Sequence, residues 1–254
     1  MLSVCPKCQH KLFTPQEICP ACGIVFAKYF KYHPLKNAEH GSVSDAIITY
    51  NTPQEKQFVL NWLYDDVYQN SQGYFIGRCV LLLGLSLWSC WLIVKGMNSQ
   101  AINESWLHLV NFPFHEAGHI VFRPFGQFIT SLGGTLGQLL MPLICMFTLL
   151  TKTRDPFGAT VAMWWFGENF LDIAPYVNDA RAGEMPLLGG NFGHSAPYGF
   201  HDWNYLLDES GLLKYDHVLA GLACLLGSLL MLMALGLAIL ILQRQRQSLN
   251  NGQF

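Results

Sequence analysis

Charge is the scarcest resource in this sequence. Only 13% of its 254 residues are Asp, Glu, Lys or Arg, while 51% are hydrophobic. Soluble domains carry roughly 25% charged residues, so an ordinary water-soluble globule is excluded. The formal net charge of −2 leaves no basic excess with which to hold a nucleic acid. A cleavable signal peptide is also lacking. Residues 1–30 are rich in Cys, Lys and Pro and have no apolar core segment, so the first hydrophobic run must act as its own membrane signal.

What is present is four long apolar runs, at about 74–97, 125–151, 157–177 and 218–242. Each has the roughly 20 residues needed to cross a bilayer. The first has no charge between Arg78 and Lys95, the second none between Arg123 and Lys152, and the fourth none before Arg244. The third holds Glu168 and Asp172. The first, second and fourth are nearly bare of polar residues, which argues against a path for transported metal. With four spans and a cytoplasmic N-terminus, Arg78, Lys152, Arg154, Arg244 and Arg246 all fall on the cytoplasmic side, and only Lys95 and Arg123 oppose this. The positive-inside rule favours that topology over a five-span one.

The eight cysteines form two groups. Cys5, Cys8, Cys19 and Cys22 make a C-x2-C-x10-C-x2-C array, whereas Cys79, Cys90, Cys145 and Cys224 sit singly in apolar stretches as packing residues. Two such knuckles close a tetrahedral zinc site. A module this small needs the metal to fold, and cytosolic thiols stay reduced, which disfavours disulfides. Residues 1–30 are therefore expected to form a structural zinc ribbon. Residues 31–73 read as a linker with an amphipathic helix, and 74–246 as a membrane domain. Gly133 and Gly137 form a G-x-x-x-G pair, suited to close helix packing.

The segment 105–122 contains His115-Glu116-Ala117-Gly118-His119. On a helix, positions i and i+4 share a face, so both imidazoles can reach one metal while the glutamate serves as general base. Ionisable residues beside a bilayer are costly and usually functional. A third ligand is needed. Asp172 is one candidate, lying one turn after Glu168 on the third run. His201, in the loop 178–215, is the other. His194, His108 and Asp179 rank below them. In the four-span topology all of these lie on the non-cytoplasmic side.

A histidine motif beside a membrane helix, followed by Asn169 and Asp172 on a later run, resembles the site-2-protease family of intramembrane zinc metallopeptidases. The family's Leu-Asp-Gly signature stands here as Leu171-Asp172-Ile173. The resemblance implies zinc held by His115, His119 and Asp172, Glu116 activating a zinc-bound water, and Asn169 positioning the substrate. The expected protein is an α-helical polytopic membrane protein, with about four transmembrane helices, a re-entrant or interfacial HExxH helix and an N-terminal zinc ribbon. Two zinc ions are expected, one in the ribbon and one at the HExxH site. The expected activity is cleavage of a membrane protein or membrane-proximal peptide, in a bacterial inner membrane, with the ribbon recruiting a cytoplasmic protein partner. The competing expectation is a non-catalytic membrane scaffold with structural metal sites.

Overall fold

The computed structural model describes residues 5, 7–8, 10–11, 18–26, 29, 71–98, 102, 104–187, 192–193 and 201–250. Most of the linker and amphipathic helix expected at 31–73 lies outside the described residues, as does His194. The chain divides into two units, Met1–Asn51 and Thr52–Phe254.

In the first unit the two knuckles face each other. The backbone N–H of Cys5 donates to His10 O, and that of Cys19 to Ile24 O, both at 2.9 Å. Each hydrogen bond folds its Cys-Pro-x-Cys segment back on itself. Gly23 takes a left-handed φ of 68° and turns the second knuckle, while Ile18 and Val25 form an antiparallel bridge across it. Cys5, Cys19 and Phe26 make a small buried cluster.

The described part of the second unit is mostly helical. Its helices are α1 (Gln72–Lys95), α2 (Trp106–Phe122), α3 (Gln127–Thr148), α4 (Pro156–Asn178), α5 (Asp202–Glu209) and α6 (Asp216–Asn250). Three stretches are long and apolar enough to cross a membrane: Gln72–Lys95, Gln127–Thr153 and Leu213–Asn250. Helix α4 is of comparable length, but Glu168 and Asp172 interrupt its apolar run, and most of its residues are buried inside the protein.

The segments between helices explain their ends. Gly96 and Gly126 adopt φ values of 53° and 92°, which close α1 and open α3. Ser105 caps α2 by accepting from Leu107 N. Asp155 caps α4 by accepting from Gly158 N, with Pro156 in the first turn, where its missing N–H is no loss.

Two contacts set the relative directions of the helices. At one end Arg78 of α1 donates to Asp155 before α4 and to Gln245 of α6, each at 3.0 Å. Further along, the Trp164 indole N–H of α4 donates to Ser89 Oγ of α1 at 2.6 Å. Helices α1 and α4 therefore run parallel. Gly167 of α4 and Gly227 of α6 meet so closely that a Cβ on Gly167 would fall 2.9 Å from the Gly227 carbonyl oxygen. The core between them holds Leu85, Leu92, Trp164, Leu171 and Met231.

Helices α2 and α3 form an antiparallel hairpin with backbone touching backbone. A Cβ on Gly137 would run into Phe114 O, and one on Gly133 would lie 2.8 Å from Gly118 O. The G-x-x-x-G pair thus packs against Gly118, inside the histidine motif. The opposite face of α2 exposes Trp106, Leu109, Val110, Ile120 and Val121. Such a face suits lipid, while the polar face points into the protein.

Candidate metal centre

His115 and His119 lie one turn apart on the inner face of α2, and their ring centroids are 4.8 Å apart. Gly134 of α3 passes directly beneath them. A Cβ there would strike His115 Nε2 and lie 2.6 Å from His119 Nε2. The close helix packing is therefore what admits the two imidazoles.

The third residue at this point is Asp202, in the first turn of α5. Its Oδ2 lies 3.5 Å from His115 Nε2 and 3.3 Å from His119 Nε2. The ligating atoms of His115, His119 and Asp202 all fall within 4.8 Å of one another. Asp202 is held from behind. Its backbone N–H donates to the Tyr176 hydroxyl at 3.1 Å, and that hydroxyl lies 3.4 Å from Asp202 Oδ2. Burial pushes the Asp202 carboxyl up, but the pull of His115 and His119 outweighs it and holds the group below the usual carboxylate range.

The donor chemistry of the site follows from its second layer. Thr130 O can only accept, so the His119 Nδ1 that meets it at 2.8 Å carries the hydrogen. His115 is fixed through a longer chain. The Trp165 indole N–H can only donate, and it donates to Asn111 Oδ1 at 2.8 Å. Asn111 Nδ2 therefore faces the acids, donating to Glu168 Oε2 and Asp172 Oδ2. Gln138 Nε2 donates to Asp172 Oδ2 and to Asn169 Oδ1. The carboxamide oxygen of Gln138 is thereby left to accept from His115 Nδ1, at 2.8 Å. Each neutral imidazole thus turns its Nε2 lone pair to the Asp202 carboxylate, and a cation among the three, either a metal ion or a proton on Nε2, balances them. An outward-facing Nε2 with an anchored Nδ1–H is the usual arrangement of metal-bound histidine. The residues fit a metal ion.

The sequence-expected residues divide accordingly. His115 and His119 converge, and Glu116 lines the same cavity of about 700 Å³. Neither Asp172 nor His201 joins the cluster. Asp172 lines the cavity wall but accepts from His108, Asn111 and Gln138. His201 is the residue before the third donor. Its Nδ1 caps α5 by accepting from Asn204 N, its ring stacks on Tyr176 at 4.2 Å, and its Nε2 faces Asp179 Oδ2 at 3.4 Å. Burial lowers the His201 imidazole against the opposing pull of Asp179 and Asp202. Asn169 is fully buried and supports Gln138.

Sequence reasoning missed Asp202, Gln138 and Tyr176. Gln138 had a signal, being a lone amide in the middle of an apolar run, where polar groups are costly. Asp202 had a weaker one, as an acid beside a buried histidine at the start of a helix.

In the first unit, Cys5, Cys8, Cys19 and Cys22 form the second group able to hold a metal ion. The Cys5–Cys22 and Cys8–Cys19 sulfur pairs are 3.7 and 3.6 Å apart, spacings typical of the edges of a thiolate tetrahedron and far beyond a disulfide bond.

Comparison with known protein families, with curated proteins and with solved structures finds no match to this chain.

Proposed function

We propose that this protein is a membrane-embedded zinc-dependent peptidase that cleaves membrane proteins or membrane-proximal peptides. The observation that carries the reading is the convergence of His115 Nε2, His119 Nε2 and Asp202 Oδ2 beside Glu116, at the wall of an open cavity. Among the described residues no fourth ligating group joins them, and a site with an open position is what hydrolysis requires. A closed, four-ligand site would instead suit the scaffold reading.

A bound zinc would supply Lewis acidity there, polarising a carbonyl and acidifying water. The chain's own residues do the rest. His115, His119 and Asp202 hold the ion. Gln138 and Thr130 keep the imidazoles oriented. Glu116 takes a proton from the attacking water and passes it to the departing amine. The Tyr176 hydroxyl keeps Asp202 in register.

In this reading α4 is a fourth span, sheathed by the other helices. The end marked by Arg78, Lys152, Arg154 and Gln245 faces the cytoplasm, and the metal centre faces the opposite side of a bacterial inner membrane. The four-cysteine module is a structural zinc ribbon able to recruit a cytoplasmic protein partner.

The test is zinc content per purified chain. Two zinc ions in the wild type, falling to one in the His115→Ala/His119→Ala double variant, support the reading. One zinc in both sinks it. Glu116→Gln should keep both ions and lose all cleavage of a membrane-protein substrate.

A further inference from the structure

We propose that His108 is a substrate-contact residue of the same cavity, hydrogen-bonding a main-chain amide of an extended polypeptide about three residues from the bond held at the metal centre. This rests on the peptidase reading.

Three observations lead to it. First, Asp172 is saturated. Its Oδ2 accepts from Asn111 and Gln138, and its Oδ1 meets His108 Nδ1 at 2.8 Å. With two amide donors already fixed on it, the carboxylate takes the Nδ1 hydrogen of His108, and the tautomer is set. Nε2 is then the ring nitrogen left for the cavity. Second, the His108 ring lines that cavity with 29% of its side chain exposed. An imidazole braced by a buried carboxylate and partly open to a cavity is built to meet a ligand, because a merely structural histidine in this apolar setting has no need of the opening.

Third, His108 is seven residues before His115 on one helix, about 10 Å along its axis. Groups that share one reacting bond must lie within about 3.5 Å of it, so His108 does not act on the scissile amide itself. An extended chain covers about 10 Å in about three residues. A helical substrate would need about seven, and its main-chain amides would already be paired internally. The partner is therefore an unwound, extended segment lying along α2. Phe112 and Met185–Leu187 line the same cavity as His108 and the metal centre.

The probes are two phosphinic pseudopeptides, whose phosphinate occupies the metal centre. One is an alanine-based heptapeptide, a phosphinic dipeptide unit with three residues before it and two after. The other is the phosphinic dipeptide unit alone. Binding is measured on the zinc-loaded full chain in detergent. The heptapeptide is expected to bind the wild type more tightly than the dipeptide. His108→Ala should weaken the heptapeptide by about five- to tenfold, the worth of one hydrogen bond in a shielded site. His108→Gln, whose amide oxygen can accept at the Nε2 position, should recover part of that loss. Dipeptide affinity and zinc content should not change in either variant. An equal heptapeptide affinity in wild type and His108→Ala overturns the proposal. So does a fall in zinc content in His108→Ala and His108→Gln alike, which would make His108 part of the metal site. Failure of the dipeptide to bind the zinc-loaded wild type would instead overturn the peptidase reading, and this inference with it.

Discussion

The carboxamide oxygen of Gln138 accepts the Nδ1 hydrogen of His115 at 2.8 Å. Gln138 can do this in only one orientation, because its nitrogen is engaged by Asp172 and Asn169. Replacing it frees the imidazole to rotate and to change tautomer. Gln138→Leu is expected to weaken zinc binding at this centre by about 10- to 100-fold, the usual effect of losing an orienting partner. The site should still fill at saturating zinc. Chelator competition measures the affinity, and unchanged affinity would remove Gln138 from the account.

The ligand set is tested by substitution of two acids. Asp202→Asn should abolish the second zinc. Asp172→Asn should leave it bound, with lowered affinity, because Asp172 reaches the metal centre only through Gln138. Zinc analysis of the two variants separates them. Loss of the second zinc in Asp172→Asn but not in Asp202→Asn would reverse the assignment.

A single methyl group at Gly134 should be as damaging as loss of a ligand. A Cβ there collides with both Nε2 atoms. Gly134→Ala is therefore expected to lose the second zinc while the helical signal persists. Gly221→Ala on α6 is the control, since nothing lies within 4 Å of its built Cβ. That variant should keep both ions and full thermal stability.

The opposite end of the helices depends on Arg78. It is 6% exposed, pairs with Asp155 and Gln245, and sits over the Phe157 ring at 5.1 Å. Arg78→Ala leaves Asp155 without its cation and should destabilise the helices by about 3–5 kcal/mol. Thermal unfolding in detergent reads this out. Zinc stoichiometry at low temperature should not change, because the metal centre lies elsewhere on these helices.

Much of the architecture was legible in the order of residues. The apolar runs became α1, α3, α4 and α6. The glycine pair at 133 and 137 did pack a helix closely, and the glycine inside the histidine motif is the surface it packs against. The i, i+4 histidines converge because helical period alone decides it. The third donor was not legible. An acid in an apolar run reads as a ligand, and Asp172 is such an acid, but three N–H donors consume it. Asp202 opens the short helix α5, whose distance from α2 no local pattern specifies. His201 is the neighbour of Asp202 in sequence, but its ring turns to Tyr176 and Asp179 while the Asp202 side chain turns to the imidazoles.

Helix α4 also bears on how the protein comes to be assembled. Glu168 and Asp172 would meet hydrocarbon if this helix entered the bilayer alone, at a penalty of about 2.5–3.5 kcal/mol for a central aspartate. Their hydrogen-bond donors, Asn111 and Gln138, belong to segments synthesised earlier. The long apolar surface that covers α4, helix α6, is synthesised later. With α4 as the fourth span proposed above, membrane insertion would be staged: the α2–α3 hairpin would have to be in place to receive α4, and α6 would close α4 off from lipid last. A chain truncated before α6 would then leave α4 uncovered along the face that Gly167 and Leu171 present to α6.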